Sequence, residues 1–289
     1  MPNTLAEQLA HDNIRVLIQG VPAAGKSSLI AQLVEAGWRL AVLDLDRAFA
    51  RAAAGIVPRA QWDRVKIEVL REDEELNRSG SRARAGTPWV WDRIKALLVE
   101  PWGDWGPVSS WGHDTVLVVD GLSGLNDAVR QQTRFILGKM DQPIVAKDYM
   151  TAYALELGLL NVLTCPLVKC HLAVTAHLMQ PREDPDEGRP AEVAGIKIGG
   201  RDLSKFAMGR KRTDLHLPKA FGGGLAGEIA RFFNVILFAA IEGQQHGASH
   251  RWLYTHSVDG VTTRLPVGVS LPERLPLDGG AGLVGGVEH

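Results

Sequence analysis

Cysteine is nearly missing from this chain: Cys165 and Cys170 are the only two among 289 residues, and neither has partners at zinc-ligand spacing. A disulfide-stapled scaffold and a structural zinc module are thereby excluded, and a reduced, cytoplasmic protein with structural thiols is expected. Long apolar runs are also lacking. None reaches the roughly 20 residues that cross a bilayer, and the opening MPNTLAEQLAHDN has no signal-peptide core. No membrane association is expected. Nor does one sign of charge prevail: 32 Lys and Arg face 33 Asp and Glu, a net charge of −1. A nucleic-acid site on such a chain has to be a local patch. With 45% apolar and 22% charged residues, the length suits one large α/β domain or two small ones.

One stretch organises the rest. The apolar run Ile14–Ile18 leads into Gly20-Val21-Pro22-Ala23-Ala24-Gly25-Lys26-Ser27-Ser28, which is the P-loop pattern G-x-x-x-x-G-K-S between a strand (Arg15–Gln19) and a helix ending near Ala36. Gly20 and Gly25 are expected to let the backbone turn tightly and bring its N–H groups to phosphate oxygens. In this chemistry Lys26 reaches the β- and γ-phosphates and Ser27 offers its hydroxyl to Mg²⁺. The reading is a site for ATP and Mg²⁺.

Three further strand ends carry chemistry. Arg39–Leu45 reads as a strand ending in Asp44 and Asp46. Thr115–Val119 is a continuous apolar run ending in Asp120, as in a strand buried on both faces whose terminal carboxylate holds the Mg²⁺ shell. Gly121 follows Asp120, so no second acid sits there. Asp46 is the candidate to orient and deprotonate a water; Asp44 is the alternative, and either suits a helix N-cap. Lys169–Ala176 leads to His177, which reads either as a sensor facing the γ-phosphate or as a ring satisfying backbone groups.

Helices are expected near Pro88–Val99, Asn126–Leu137 and Tyr149–Leu163. Trp102, Trp105 and Trp111 read as packing residues, with base stacking the competing role. The segment 195–219 holds Lys197, Arg201, Lys205, Arg210, Lys211, Arg212 and Lys219 against Asp202 and Asp214, either a solvated loop or an anion- or DNA-binding one. Beyond it come a strand NVILFAA and a hairpin pattern, RWLYTHS and VTTRL turning at Val258-Asp259-Gly260. A Pro- and Gly-rich tail, 266–289, reads as a flexible, poorly structured extension to a single domain, 1–265.

Together, GVPAAGKSS, LAVLDLD, DTVLVVDGLSGL, HLAVTAH and LPKAFGGGLAGEIARFFNVI followed by HRWLYTHS resemble the RecA-like ATPases, and most of all the compact phage-encoded proteins used in recombination and single-strand annealing. The resemblance implies a RecA-like P-loop core, α/β with a central mainly parallel sheet flanked by helices, plus the C-terminal β-hairpin. In that sheet the His177 strand lies between the P-loop and Asp120 strands. It implies a DNA-dependent ATP hydrolase with Asp46, where relatives usually carry Glu, as catalytic carboxylate beside Lys26 and His177. Single-stranded DNA would meet 138–147 and 178–219, with Lys205, Arg210, Lys211 and Arg212 as contacts. It further implies a homo-oligomeric ring or filament with ATP at subunit interfaces. Arg210, Lys211, Arg212, Lys219 or Arg251 would supply a charge in trans, and a single-strand binding protein is a further expected partner. The host cytoplasm would be its location. The competing readings are a hexameric helicase- or packaging-type DNA motor, a small-molecule P-loop kinase and a nucleotide-dependent switch.

Overall fold

A computed structural model describes residues 13–71, 88–140, 142, 145–179, 197–198, 201–202, 217–218, 228–245, 248–258, 261–266 and 268–277. The strands are β1 (Arg15–Gly20), β2 (Arg39–Asp44), β3 (Val65–Val69), β4 (Thr115–Asp120) and β5 (His171–Met179). After them come β6 (Lys197–Ile198), β7 (Arg201–Asp202), β8 (Leu217–Pro218), β9 (Val235–Gln245), β10 (Ala248–Tyr254) and β11 (Arg274–Pro276). The α-helices are α1 (Lys26–Ala31), α2 (Phe49–Ile56), α3 (Val90–Val99), α4 (Leu122–Ile136) and α5 (Tyr149–Leu163).

The central sheet runs β11-β10-β9-β1-β5-β4-β2-β3. From β9 to β3 every pairing is parallel; β10 and β11 close the other edge antiparallel. This is an α/β fold with a mostly parallel sheet, flanked by helices and ending in an antiparallel hairpin. The strand carrying His177 lies between those ending in Gly20 and Asp120, the order expected.

The alternation of side chains along the strands explains the layering. In β2, Ala41 and Leu43 enter one core with Leu97, Leu125 and Leu160 of α3, α4 and α5. Their neighbours Leu40 and Val42 enter the other, with Leu29 and Phe49 of α1 and α2. A sheet covered on both faces needs strands apolar at every position, and β4 is buried at all six. Because all the central strands are parallel, their carboxyl ends share one rim. Ligands of open α/β sheets bind at that rim.

The structure departs from the sequence reading in several places. β3 lies inside 47–110, where no strand is legible: its pattern VKIEV is half-exposed on an outer edge and lacks a buried strand's apolar run. The hairpin forms between β9 and β10, whereas VTTRL contributes single bridges, Val258 to Val261 and Arg264 to Ile236. β9 is longer than NVILFAA indicates, and β10 pairs with its extension as well as with Phe238–Ala240. Within the expected irregular tail, Arg274–Pro276 pairs with Trp252–Tyr254 and covers the β10 edge. Trp102 and Trp111 are 6% and 2% exposed; their indole N–H groups donate to the Leu97 carbonyl and to the Trp105 and Gly106 carbonyls. They pack edge to face and have no face left for a base. Among the described residues no helix is long and apolar enough to cross a membrane, and Cys165 and Cys170 are both free thiols.

Candidate functional site

The loop after β1 makes its turn at Ala23 (φ 63°) and Gly25 (φ 89°), both left-handed. Such a geometry is free for glycine and costs alanine roughly 1–2 kcal/mol. Gly20 serves differently from the expectation. It is the last residue of β1, opposite Ala239, and a Cβ there would stand 2.1 Å from the Ala239 carbonyl oxygen. Its missing side chain is what lets β9 pair with β1. At the far end of the helical segment Gly37 (φ 90°) donates to the Val34 carbonyl at 2.9 Å, a left-handed helix stop.

Lys26 opens α1, and its ammonium turns back over the loop. It donates to the carbonyls of Gly20 (3.1 Å) and Val21 (2.9 Å) and lies 3.4 Å from His177 Nδ1. Burial lowers its pKa to about 8, against the opposing pull of Asp120 and Asp46. The next residue, Ser27, donates its hydroxyl to the Asp120 carboxylate, 3.0 and 2.9 Å from the two oxygens.

Asp120 is 1% exposed, and burial pushes its pKa up to about 6; hydrogen bonds from Thr175 and Ser27 oppose that rise, and the charges of Asp44 and Asp46 add to it. Thr175 on β5 ties the strand ends together. Its hydroxyl donates to Asp120 Oδ1 at 2.8 Å and accepts the Gly121 N–H at 2.8 Å. Sequence reasoning missed Thr175; the one signal was a hydroxyl in the apolar run of β5, two residues before His177.

The two acids after β2 separate cleanly. Asp44 is fully buried and accepts the backbone N–H groups of Ala48 and Phe49, both at 3.2 Å, anchoring the turn into α2. It faces backbone, and burial raises its pKa. Asp46 is half-buried and lines the cleft. Its Oδ2 is 3.4 Å from His177 Nε2, so His177 stands between Lys26 and Asp46 with one ring nitrogen toward each.

Gly121 explains why no second acid follows Asp120. A Cβ at Gly121 would lie 2.3 Å from the Asp46 carboxylate carbon and 2.5 and 2.6 Å from its oxygens, and the backbone there has φ +109°. At Gly124 a Cβ would meet the Leu45 carbonyl at 2.7 Å. The two glycines at the start of α4 therefore make the space that seats Leu45 and Asp46.

These groups open on a cleft of about 770 Å³, within the range of small-molecule sites. Lys26, Ser27, Asp46, Asp120, Thr175 and His177 all line it. So does Arg251, expected among candidates for a charge reaching another subunit: its Cδ lies 3.4 Å from where a Gly25 Cβ would be, beside its own chain's loop. Lys205, Arg210, Lys211, Arg212 and Lys219 lie outside the described residues. Leu178 and Met179, directly after His177, pair antiparallel with Pro218 and Leu217 of β8.

Comparison with protein-family models and with curated proteins gives no match.

Proposed function

We propose that this chain is a Mg²⁺-dependent, RecA-like ATPase that acts on single-stranded DNA in recombination or strand annealing. The observation that carries the proposal is the convergence of four strand ends. Lys26 and Ser27 after β1, Asp46 after β2, Asp120 at β4 and His177 on β5 meet in one cleft at the carboxyl rim of the sheet.

In this reading the left-handed loop from Ala23 to Gly25 cradles the phosphates, and Lys26 leaves its carbonyl partners for the β- and γ-oxygens. Ser27 and Asp120 fit a Mg²⁺ site: a hydroxyl and a buried carboxylate lie in contact. Mg²⁺ needs only one or two protein oxygens when phosphates and waters complete its shell. When bound, Mg²⁺ would neutralise charge on the phosphates. Asp46 accepts the proton of the attacking water as its oxygen bonds to the γ-phosphorus and the bond to the ADP oxygen breaks. His177, between Lys26 and Asp46, holds the base in place and meets the transferred phosphate.

The DNA half of the proposal rests on the basic surplus of 195–219 and on the pairing of Leu217 and Pro218 with Met179 and Leu178, just past His177. Homo-oligomerisation belongs to the same reading. The test is steady-state ATP hydrolysis with and without single-stranded DNA at low and moderate salt. Stimulation that weakens with salt is expected, as is loss of nucleotide binding in Lys26→Ala. Bound nucleotide with hydrolysis indifferent to DNA would overturn the DNA half, and wild-type hydrolysis in Lys26→Ala the ATPase half.

A further inference from the structure

The cleft does not end at Asp46 and Asp120. Its lining continues over Leu45, Leu70, Arg71 and Val90 and onto α4, where Arg130, Gln131 and Arg134 line it. Arg130 and Arg134 are four residues apart on a helix and therefore neighbours on one face. Asp127 shares that face and sits 3.7 Å from Arg130.

Arg134 is the telling residue. It is half-buried, its Nε is enclosed by protein with no hydrogen-bond partner, and among the described residues it has no acidic partner. A guanidinium N–H closed off from water and left without an acceptor is costly. Its planar fork suits a phosphate oxygen pair. Leu45, Leu70 and Val90, 4%, 2% and 1% exposed, offer an apolar floor for a flat ring.

We propose that this part of the cleft is a second ligand subsite, in which Arg134, with Arg130 and Arg71, holds the phosphate of a nucleotide unit beside the triphosphate at Lys26. The unit is either a free nucleoside monophosphate or one residue of a single strand; the chemistry recognised is the same. The placement beside the triphosphate rests on the nucleotide reading of the Lys26 side.

The test is a calorimetric titration of the full chain saturated with a non-hydrolysable ATP analogue and Mg²⁺. Thymidine monophosphate is added in one arm and a short oligothymidylate in the other, to wild type, Arg134→Gln and Arg134→Lys. Saturable binding that Arg134→Gln weakens by about tenfold or more is expected, with Arg134→Lys intermediate and analogue affinity unchanged. Such binding in the mononucleotide arm identifies a free nucleotide; in the oligonucleotide arm alone, a strand. No binding in either arm, or binding indifferent to Arg134→Gln with the fold intact by circular dichroism, overturns the subsite. Repeating both arms without analogue keeps the two readings apart. If wild type does not bind the analogue, the Lys26 reading fails, whereas the subsite still stands or falls on its Arg134 dependence. Lys26→Ala is expected to lose the analogue and retain the second ligand.

Discussion

Replacing Gly121 by alanine asks whether Asp46 is seated as the structure has it, and a second glycine supplies the control. Gly37 and Gly121 both have left-handed backbone, φ +90° and +109°, so alanine at either costs about 1–2 kcal/mol in backbone strain. They differ in surroundings. Nothing lies within 4 Å of a Cβ at Gly37, whereas one at Gly121 overlaps the Asp46 carboxylate at 2.3–2.6 Å. Ordinary contact needs more than 3.4 Å, so Asp46 has to move by about an ångström. Forced repacking of that kind adds about 1–3 kcal/mol. Gly37→Ala is thus expected to lower Tm by roughly 2–8 °C with kcat unchanged, and Gly121→Ala by roughly twice that, at 2–4 °C per kcal/mol for a chain of this size. Displacing a general base by an ångström costs on the order of 10²-fold in rate, so Gly121→Ala is expected to lose about that much kcat while nucleotide affinity holds. Thermal melts and steady-state ATP hydrolysis on both variants decide it. Equal kcat in the two would refute the seating of Asp46 against Gly121 or its part in the chemistry.

Asp46→Asn is expected to bind ATP normally and lose kcat by about 10²–10⁴-fold, and Asp44→Asn to keep turnover but lose about 1–3 kcal/mol of stability as one of the two oxygens that accept the Ala48 and Phe49 N–H groups becomes an amide nitrogen; calorimetric binding, hydrolysis rates and urea melts check both. Lys26 has to be protonated to attract phosphate, and its lowered pKa is about 8, so nucleotide affinity is expected to fall as pH rises through about 8. An affinity unchanged to pH 9.5 would remove Lys26 from phosphate binding. Trp102→Ala should cost about 3–5 kcal/mol in denaturant unfolding and, where it folds, leave DNA affinity within twofold, because the indole is core.

What the sequence disclosed follows from where the physics is local. The P-loop pattern, the apolar Val116–Val119 of β4 and the terminal Asp120 and His177 are each written in consecutive residues, because a parallel strand covered on both faces has to be apolar along its length. The half-exposed β3 and the short β11 carry no such signature. The choice between Asp44 and Asp46 was not legible either: both follow the same strand, and only the turn into α2, with the Ala48 and Phe49 N–H groups turned to Asp44, separates them. Thr175 and Arg134 are cleft residues only because distant elements face them.

The glycine after Asp120 carries this furthest. Read along the chain, Gly121 marks a missing acid, an absence that sends the search for a base to another strand. Across the sheet it is a required vacancy of side chain: the pairing of Asp44 with Asp120 brings the β2 end level with the β4 end, and Asp46 packs over the bare Cα. The acid and the glycine are two halves of one arrangement. Were Gly121 an acid, its side chain would occupy the space of the Asp46 carboxylate, so in this sheet a carboxylate can follow β2 or follow Asp120, but not both. Thr175 enforces that choice by fixing the Gly121 N–H, and His177, one position past Ala176 on the same strand, meets the carboxylate that results.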